Sequence, residues 1–270
     1  MKRLMVGLAL SGGTAKSVAH IGVLKALVEN GITIDYLAGT SGGSIVAAFY
    51  AAGKSVPEIE ALAEGIGWRN LAGITIPRLG FLSSEKIREF IEGAIGNVTF
   101  KDLRLPLAVV ASDITAGEKV VFTEGRVAVA CQASSSIPDL YTPVEINGHI
   151  LVDGGFSEYV PVDALVSFGD MFAIGVNLGF EPGSKRKPRN LVEVILRVSN
   201  FIAQQNAAVS ELRADFMIRP DLSEFGPLEL RKASDIIHRG YAETLKIIPE
   251  LKAAIGAFKP SAATPGDKSL

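Results

Sequence analysis

The sequence predicts an α/β fold built on a mostly parallel central sheet. Two observations carry this: short apolar or β-branched runs alternate with longer helical patterns, and no linker interrupts the alternation. Strands separated by helices need crossover connections, which is how parallel strands are joined. A chain of 270 residues, 48% hydrophobic, is long enough to bury one sizeable core.

In chain order, strands are expected near 4–10, 36–39, 107–111, 120–122, 149–152, 171–177 and 215–218. Helices are expected near 17–29, 42–53, 57–65, 84–95, 126–133, 161–167, 190–212 and 231–253. Several ends are legible: Ser84 precedes Glu85-Lys86-Ile87, Pro57 sits in a first turn, and Asn30-Gly31 and Gly53 follow last turns. Residues 1–258 read as one domain, and 259–270, rich in Pro, Ser, Ala and Gly, as a disordered tail. The stretch Gly65 to Leu82 mixes glycine with large apolar residues without a period, which suits either a lid over an apolar site or an irregular packed connection.

A formal net charge of −2 with dispersed charges gives no concentrated basic face, so a nucleic-acid partner is not expected. One basic run, Lys185-Arg186-Lys187-Pro188-Arg189, reads as a solvated loop or a contact to anionic lipid headgroups. Cys131 is the sole cysteine, so there is no intrachain disulfide or cysteine-built zinc site; it reads as a core thiol. The apolar run after Lys2 and Arg3 is too short to span a bilayer, and a first buried strand of a cytoplasmic protein is the expectation.

Three segments carry chemistry. Gly39-Thr40-Ser41-Gly42-Gly43 lies between an apolar strand and a small-residue helix, the context in which Gly-x-Ser-x-Gly presents an exposed nucleophile. Its glycines, Gly42 among them, relieve crowding at the turn, and the helix N-terminus favours developing negative charge. Leu8-Ala9-Leu10-Ser11-Gly12-Gly13-Thr14-Ala15-Lys16-Ser17 is a second strand–turn–helix, whose paired glycines suit an oxyanion hole, a phosphate cradle or a dinucleotide turn. With a nucleophile elbow one βα unit later, the oxyanion reading is the most economical. Finally, Gly148-His149-Ile150-Leu151-Val152-Asp153-Gly154-Gly155 ends an apolar strand on a carboxylate beside open space, where turn capping is the plain alternative.

In this order the three segments resemble the patatin-like phospholipase family. Ser11-Gly12-Gly13-Thr14-Ala15-Lys16 is similar to its glycine-rich oxyanion loop, Gly39-Thr40-Ser41-Gly42-Gly43 to its nucleophile elbow, and Asp153-Gly154-Gly155 to its aspartate motif. Ala133-Ser134-Ser135-Ser136-Ile137-Pro138 and Val160-Pro161-Val162-Asp163-Ala164-Leu165 also look familial, so the similarity covers roughly residues 4 to 240. The resemblance implies a three-layer α/β/α fold and a serine lipid acyl hydrolase; no cluster of His, Asp or Glu has ligand spacing, so neither metal nor cofactor is expected. Ser41 would be nucleophile, Asp153 base, and the amides around Gly12, Gly13 and Thr14 the oxyanion donors, with Lys16, Gly42 and Gly154 in substrate binding or loop support. The implied partner is a fatty-acyl ester or (lyso)phospholipid; a transient membrane-surface contact is the lipid reading of the basic run Lys185–Arg189.

The chain departs from the family pattern where Thr14 replaces a glycine, Lys16 and Ser17 replace arginine and glycine, and Glu158-Tyr159 replace Asn-Pro. A β-branched Thr14 must keep φ below zero or be strained, and Lys16 loses the guanidinium fork. Three rivals stay open: a hydrolase triad drawing on His238, His20 or His149, an acyltransferase with the same nucleophile, and a non-catalytic nucleotide-binding or regulatory protein using the first glycine loop.

Overall fold

The computed structural model describes residues 3–67, 73–74, 82–138, 140–179 and 187–259. Most of the 65–82 stretch, part of the basic run and the tail from 260 lie outside the described residues.

One eight-stranded sheet organises the chain. Its path is β10 (Phe216–Ile218), β9 (Phe172–Val176), β1 (Val6–Leu10), β2 (Tyr36–Thr40), β5 (Leu107–Asp113), β8 (His149–Asp153) and β7 (Val144–Ile146), with β6 (Glu118–Phe122) paired to β5. Two short strands, β3 (Gly73–Ile74) and β4 (Leu82–Ser83), form a separate antiparallel pair. The expected parallel sheet is present only from β10 to β5; β6, β8 and β7 add antiparallel pairings, so the sheet is mixed. The missed β7 had a readable signal. Asn147-Gly148, both at positive φ (51° and 82°), makes the two-residue hairpin turn that joins it to β8.

Strands β1, β5 and β9 are buried along their full length, which requires cover on both faces. Side-chain alternation divides that cover. Leu8, Leu10, Leu37, Val109 and Ile174 pack into the large core beneath α1 (Ala19–Glu29), α2 (Gly42–Ala51), α5 (Val127–Ser134) and α8 (Ala233–Ala257). Ala9, Ala38, Ala108 and Ala173 face the other way, where α6 (Val162–Val166) and α7 (Leu191–Glu211) pack closely against small side chains. Helices α3 (Val56–Glu64) and α4 (Glu85–Ile95) complete the first layer. Three layers result: helices, sheet, helices.

Helix α3 starts as its sequence dictates, with the Ser55 and Glu58 capping box and a proline in its first turn. Helices α1 and α8 approach closely through Gly22 and Gly240. A Cβ on Gly22 would lie 2.0 Å from the Ile237 carbonyl oxygen, and one on Gly240 would lie 2.4 Å from that of Ala19.

Candidate active site

Strand register brings Ser41 and Asp153 together. Residues 109–111 of β5 pair with β6 along one edge, so β2 and β8 share the other: Thr40 lies opposite Val110, and Asp153 opposite Ala111. The end of β2 and the end of β8 therefore meet on one edge of β5. Ser41 Oγ donates a 2.6 Å hydrogen bond to Asp153 Oδ2.

Each partner is held from several sides. Ser41 caps α2 with φ +52° and ψ −132°, a sharp turn in the left-handed region. Ser134 Oγ accepts its amide at 2.8 Å, and Ser44 Oγ donates to its carbonyl at 2.6 Å. Asp153 receives the Gly155 amide on Oδ1 at 2.8 Å, its own amide donates to Ser136, and Ser112 Oγ donates to its carbonyl. Gly154 has no room for a side chain, since a Cβ would lie 2.1 Å from the Val110 carbonyl oxygen. Burial pushes the Asp153 carboxyl up to about 6, against the opposing pull of hydrogen bonds from Ser41 and Gly155.

The loop after β1 lies beside the elbow; an added Cβ on Gly12 would stand 3.4 Å from Ser41 Cβ. Of its three amides, that of Gly12 is taken by the Tyr159 carbonyl at 3.3 Å. Among the described residues no acceptor faces the amides of Gly13 or Thr14. Thr14 has φ +51°, so a β-branched residue sits in the left-handed region, and strain is the outcome of the two alternatives open to it. Thr14→Gly is expected to raise unfolding free energy by about 1 kcal/mol, read by denaturant titration; an unchanged or lower midpoint would remove the strain account. Lys16 is buried in the loop's single 3-10 turn. Gly42 opens α2 against Ser17, whose Oγ would lie 2.2 Å from an added Cβ.

Ser41, Asp153, Gly13, Thr14 and Lys16 line one cavity of about 850 Å³, measured with its open mouth. Its walls include Ile137, Phe156, Leu178, Leu196 and Phe225, and α7 contributes Arg197 and Asn200. The two departures after the aspartate motif have structural work. Glu158 receives the amide of Asp163 at the start of α6 and pairs with Lys119 at 2.9 Å, while Tyr159 lines the cavity and holds Gly12. Ser134, Tyr159 and Arg197 were not among the expected site residues. Ser134 lay in a run already noted, but only tertiary contact could single it out.

None of the three histidines lines the cavity. His20 is fully buried with Nε2 on the Ser11 carbonyl at 2.8 Å, and burial lowers it to about 4, so it is neutral and braces the glycine loop. His149 pairs with Asp113 at 2.6 Å, and His238 is exposed on α8. Cys131 is buried, as expected. Among the described residues no group of three His, Cys, Asp or Glu is placed to hold a metal ion.

A family model described as patatin-like phospholipase matches residues 8–166. An uncharacterized NTE family protein of Mycobacterium tuberculosis H37Rv is 35% identical over 185 residues, covering 67% of this chain and 51% of that protein. Lysophospholipase NTE1 of Pyricularia oryzae is 27% identical over 298 residues, covering 98% of this chain and 20% of that protein. The chain thus spans about half or less of the length of these curated relatives. Among solved structures, VipD from Legionella pneumophila shares the fold, with TM-score 0.66 at 16% identity over 92% of this chain and 67% of VipD. The family model covers more than half of the chain, and the fold agrees with it: the chain belongs to the patatin-like phospholipase family.

Proposed function

We propose that the chain is a serine acyl hydrolase that cleaves a fatty-acyl ester of a lipid through a Ser41–Asp153 dyad. The observation that carries this reading is the 2.6 Å hydrogen bond from Ser41 Oγ to a buried carboxylate at the base of a largely apolar-walled cavity. In this reading Asp153 takes the serine proton as Oγ attacks the ester carbonyl, and returns it to the leaving alcohol. It then activates water to free the acid. The oxyanion donors are the amides of Gly13 and Thr14, with Gly12 holding the loop in place through Tyr159. Each well-aimed donor contributes about 3–4 kcal/mol to the transition state.

The substrate we favour carries a phosphate near the scissile ester, as a lysophospholipid or phospholipid does. Arg197 supports this: it lines the cavity beside Lys16, and its buried Nε has no hydrogen-bond partner among the described residues. The side chain is half-buried, and a guanidinium nitrogen that is shielded from water without a partner is a ready donor to an anion entering the cavity. Arg197→Gln is therefore expected to lower kcat/KM for a lysophospholipid, relative to the monoacylglycerol of the same acyl chain, by about tenfold or more. Equal losses on both substrates would dismiss the phosphate contact.

The activity itself is tested by offering p-nitrophenyl esters and lysophospholipids to the wild type. A fluorophosphonate should label Ser41 and fail to label Ser41→Ala. Thiol-free buffer with and without glycerol as acceptor separates hydrolysis from acyl transfer. Among the described residues no helix is long and apolar enough to cross a membrane, and the reading is of a cytoplasmic protein in peripheral contact with lipid.

A further inference from the structure

Helix α7 is amphipathic in an unusual sense. Of the twelve large apolar side chains exposed among the described residues, eight belong to 191–212, including Leu191 at 72%, Phe201 at 65% and Leu212 at 86%. At 100° per residue, Leu191, Val194, Val198, Phe201, Val209 and Leu212 fall within an arc of about 80°, and Ile202 extends it to about 100°. The buried residues Leu196, Ala203, Ala207 and Ser210 centre on the opposite side. That inner side also supplies Leu196, Asn200 and Ala203 to the cavity holding Ser41. One helix thus forms a wall of the candidate active site with one face and presents a stripe of large apolar side chains with the other.

Exposed Gln205 interrupts the stripe between Ile202 and Val209, but an exposed apolar helix face of this kind marks a surface that is covered in use. Charge identifies what covers it. Arg189 at the entry to α7 is held by the buried Glu193 at 2.8 Å, but the basic run Lys185–Arg189 carries three further cations in sequence ahead of that pair, and a basic segment flanking an apolar helix face fits a negatively charged lipid surface. We propose that the outer face of α7 is an interfacial docking surface for an anionic phospholipid bilayer, seating the cavity at the membrane that holds its substrate. This rests on the lipid hydrolase reading for its purpose, though docking itself requires no turnover.

The test is flotation of the full chain with vesicles of phosphatidylcholine alone and of phosphatidylcholine with phosphatidylglycerol at about 7:3, comparing wild type, Ser41→Ala and the double variant Val198→Glu with Phe201→Glu. Wild type and Ser41→Ala should float with the anionic vesicles, and less with neutral ones or at high salt. The double variant should bind the anionic vesicles about tenfold more weakly or worse, because two central anchors of the stripe become charged. Circular dichroism and hydrolysis of water-soluble p-nitrophenyl butyrate establish that the variant is folded. A Ser41→Ala protein that floats while the wild type hydrolyses nothing would sink the hydrolase reading and leave docking supported. Docking is overturned if the wild type does not float, or if the double variant floats equally well. A concentration-dependent dimer in sedimentation, broken by the double variant and accompanied by no vesicle binding, would assign the face to a second copy instead.

Discussion

Replacing Ser41 with alanine is expected to lower ester hydrolysis by about 10³-fold or more, with the folded state retained. Among the described residues no other hydroxyl combines an elbow turn, a hydrogen bond to a buried carboxylate and a place in this cavity; the neighbouring Ser134 and Ser44 are occupied in holding the elbow. The stability of the same position makes a sharper check. A non-glycine residue at φ +52° costs on the order of 1–3 kcal/mol. Alanine keeps its Cβ and so keeps that strain, whereas Ser41→Gly removes it. Ser41→Gly should therefore be as inert as Ser41→Ala yet unfold at higher denaturant, by about 1 kcal/mol. Residual hydrolysis near wild-type rate in either variant would show that the nucleophile lies elsewhere.

Asp153→Asn is expected to lose comparable activity and to change the pH dependence of stability. Asparagine preserves the shape and can still meet Ser41, but it cannot accept the serine proton. In the wild type, hydrolysis should rise with pH through about 6 as the carboxyl ionises, then level off. The stability sign runs the other way. The folded-state value of about 6 lies above the ordinary 3.8, so between these pH values the native state holds a proton that the unfolded chain has lost. This contribution is fully present below about 3.8 and is lost as pH rises through about 6, amounting to about 3 kcal/mol. Asp153→Asn should cancel that loss, so the variant gains on the wild type in melts at pH 7 and gains little at pH 4. Wild-type activity that is flat from pH 5 to 8, or a variant that hydrolyses normally, would remove Asp153 from the role of base.

Much of this protein was legible along the chain. The spans of α2, α4 and α7 were expected to within a residue or two, because caps, glycine stops and apolar periodicity are local signals. The antiparallel flank was not. Apolar runs alone do not tell a strand which neighbour it will find, and β8 pairs back onto β5 only because a hairpin and a chain reversal place it there. Arg197 and the outward apolar stripe of α7 were also hidden, since a period of 3.6 reports that a helix has two faces without saying which is buried.

What the sequence by itself determined is the Ser41 elbow. The glycines, the preceding apolar strand and the small-residue helix encode its backbone within a dozen positions. What only the tertiary structure decided is the chemistry available to it. The register of β5 places Asp153 against Ser41 across 112 positions of chain, and burial by that packing raises the carboxyl to about 6. The reason is physical: a turn is set by the sterics of neighbouring residues, whereas a pKa and a hydrogen bond between distant strands depend on what the fold removes from water.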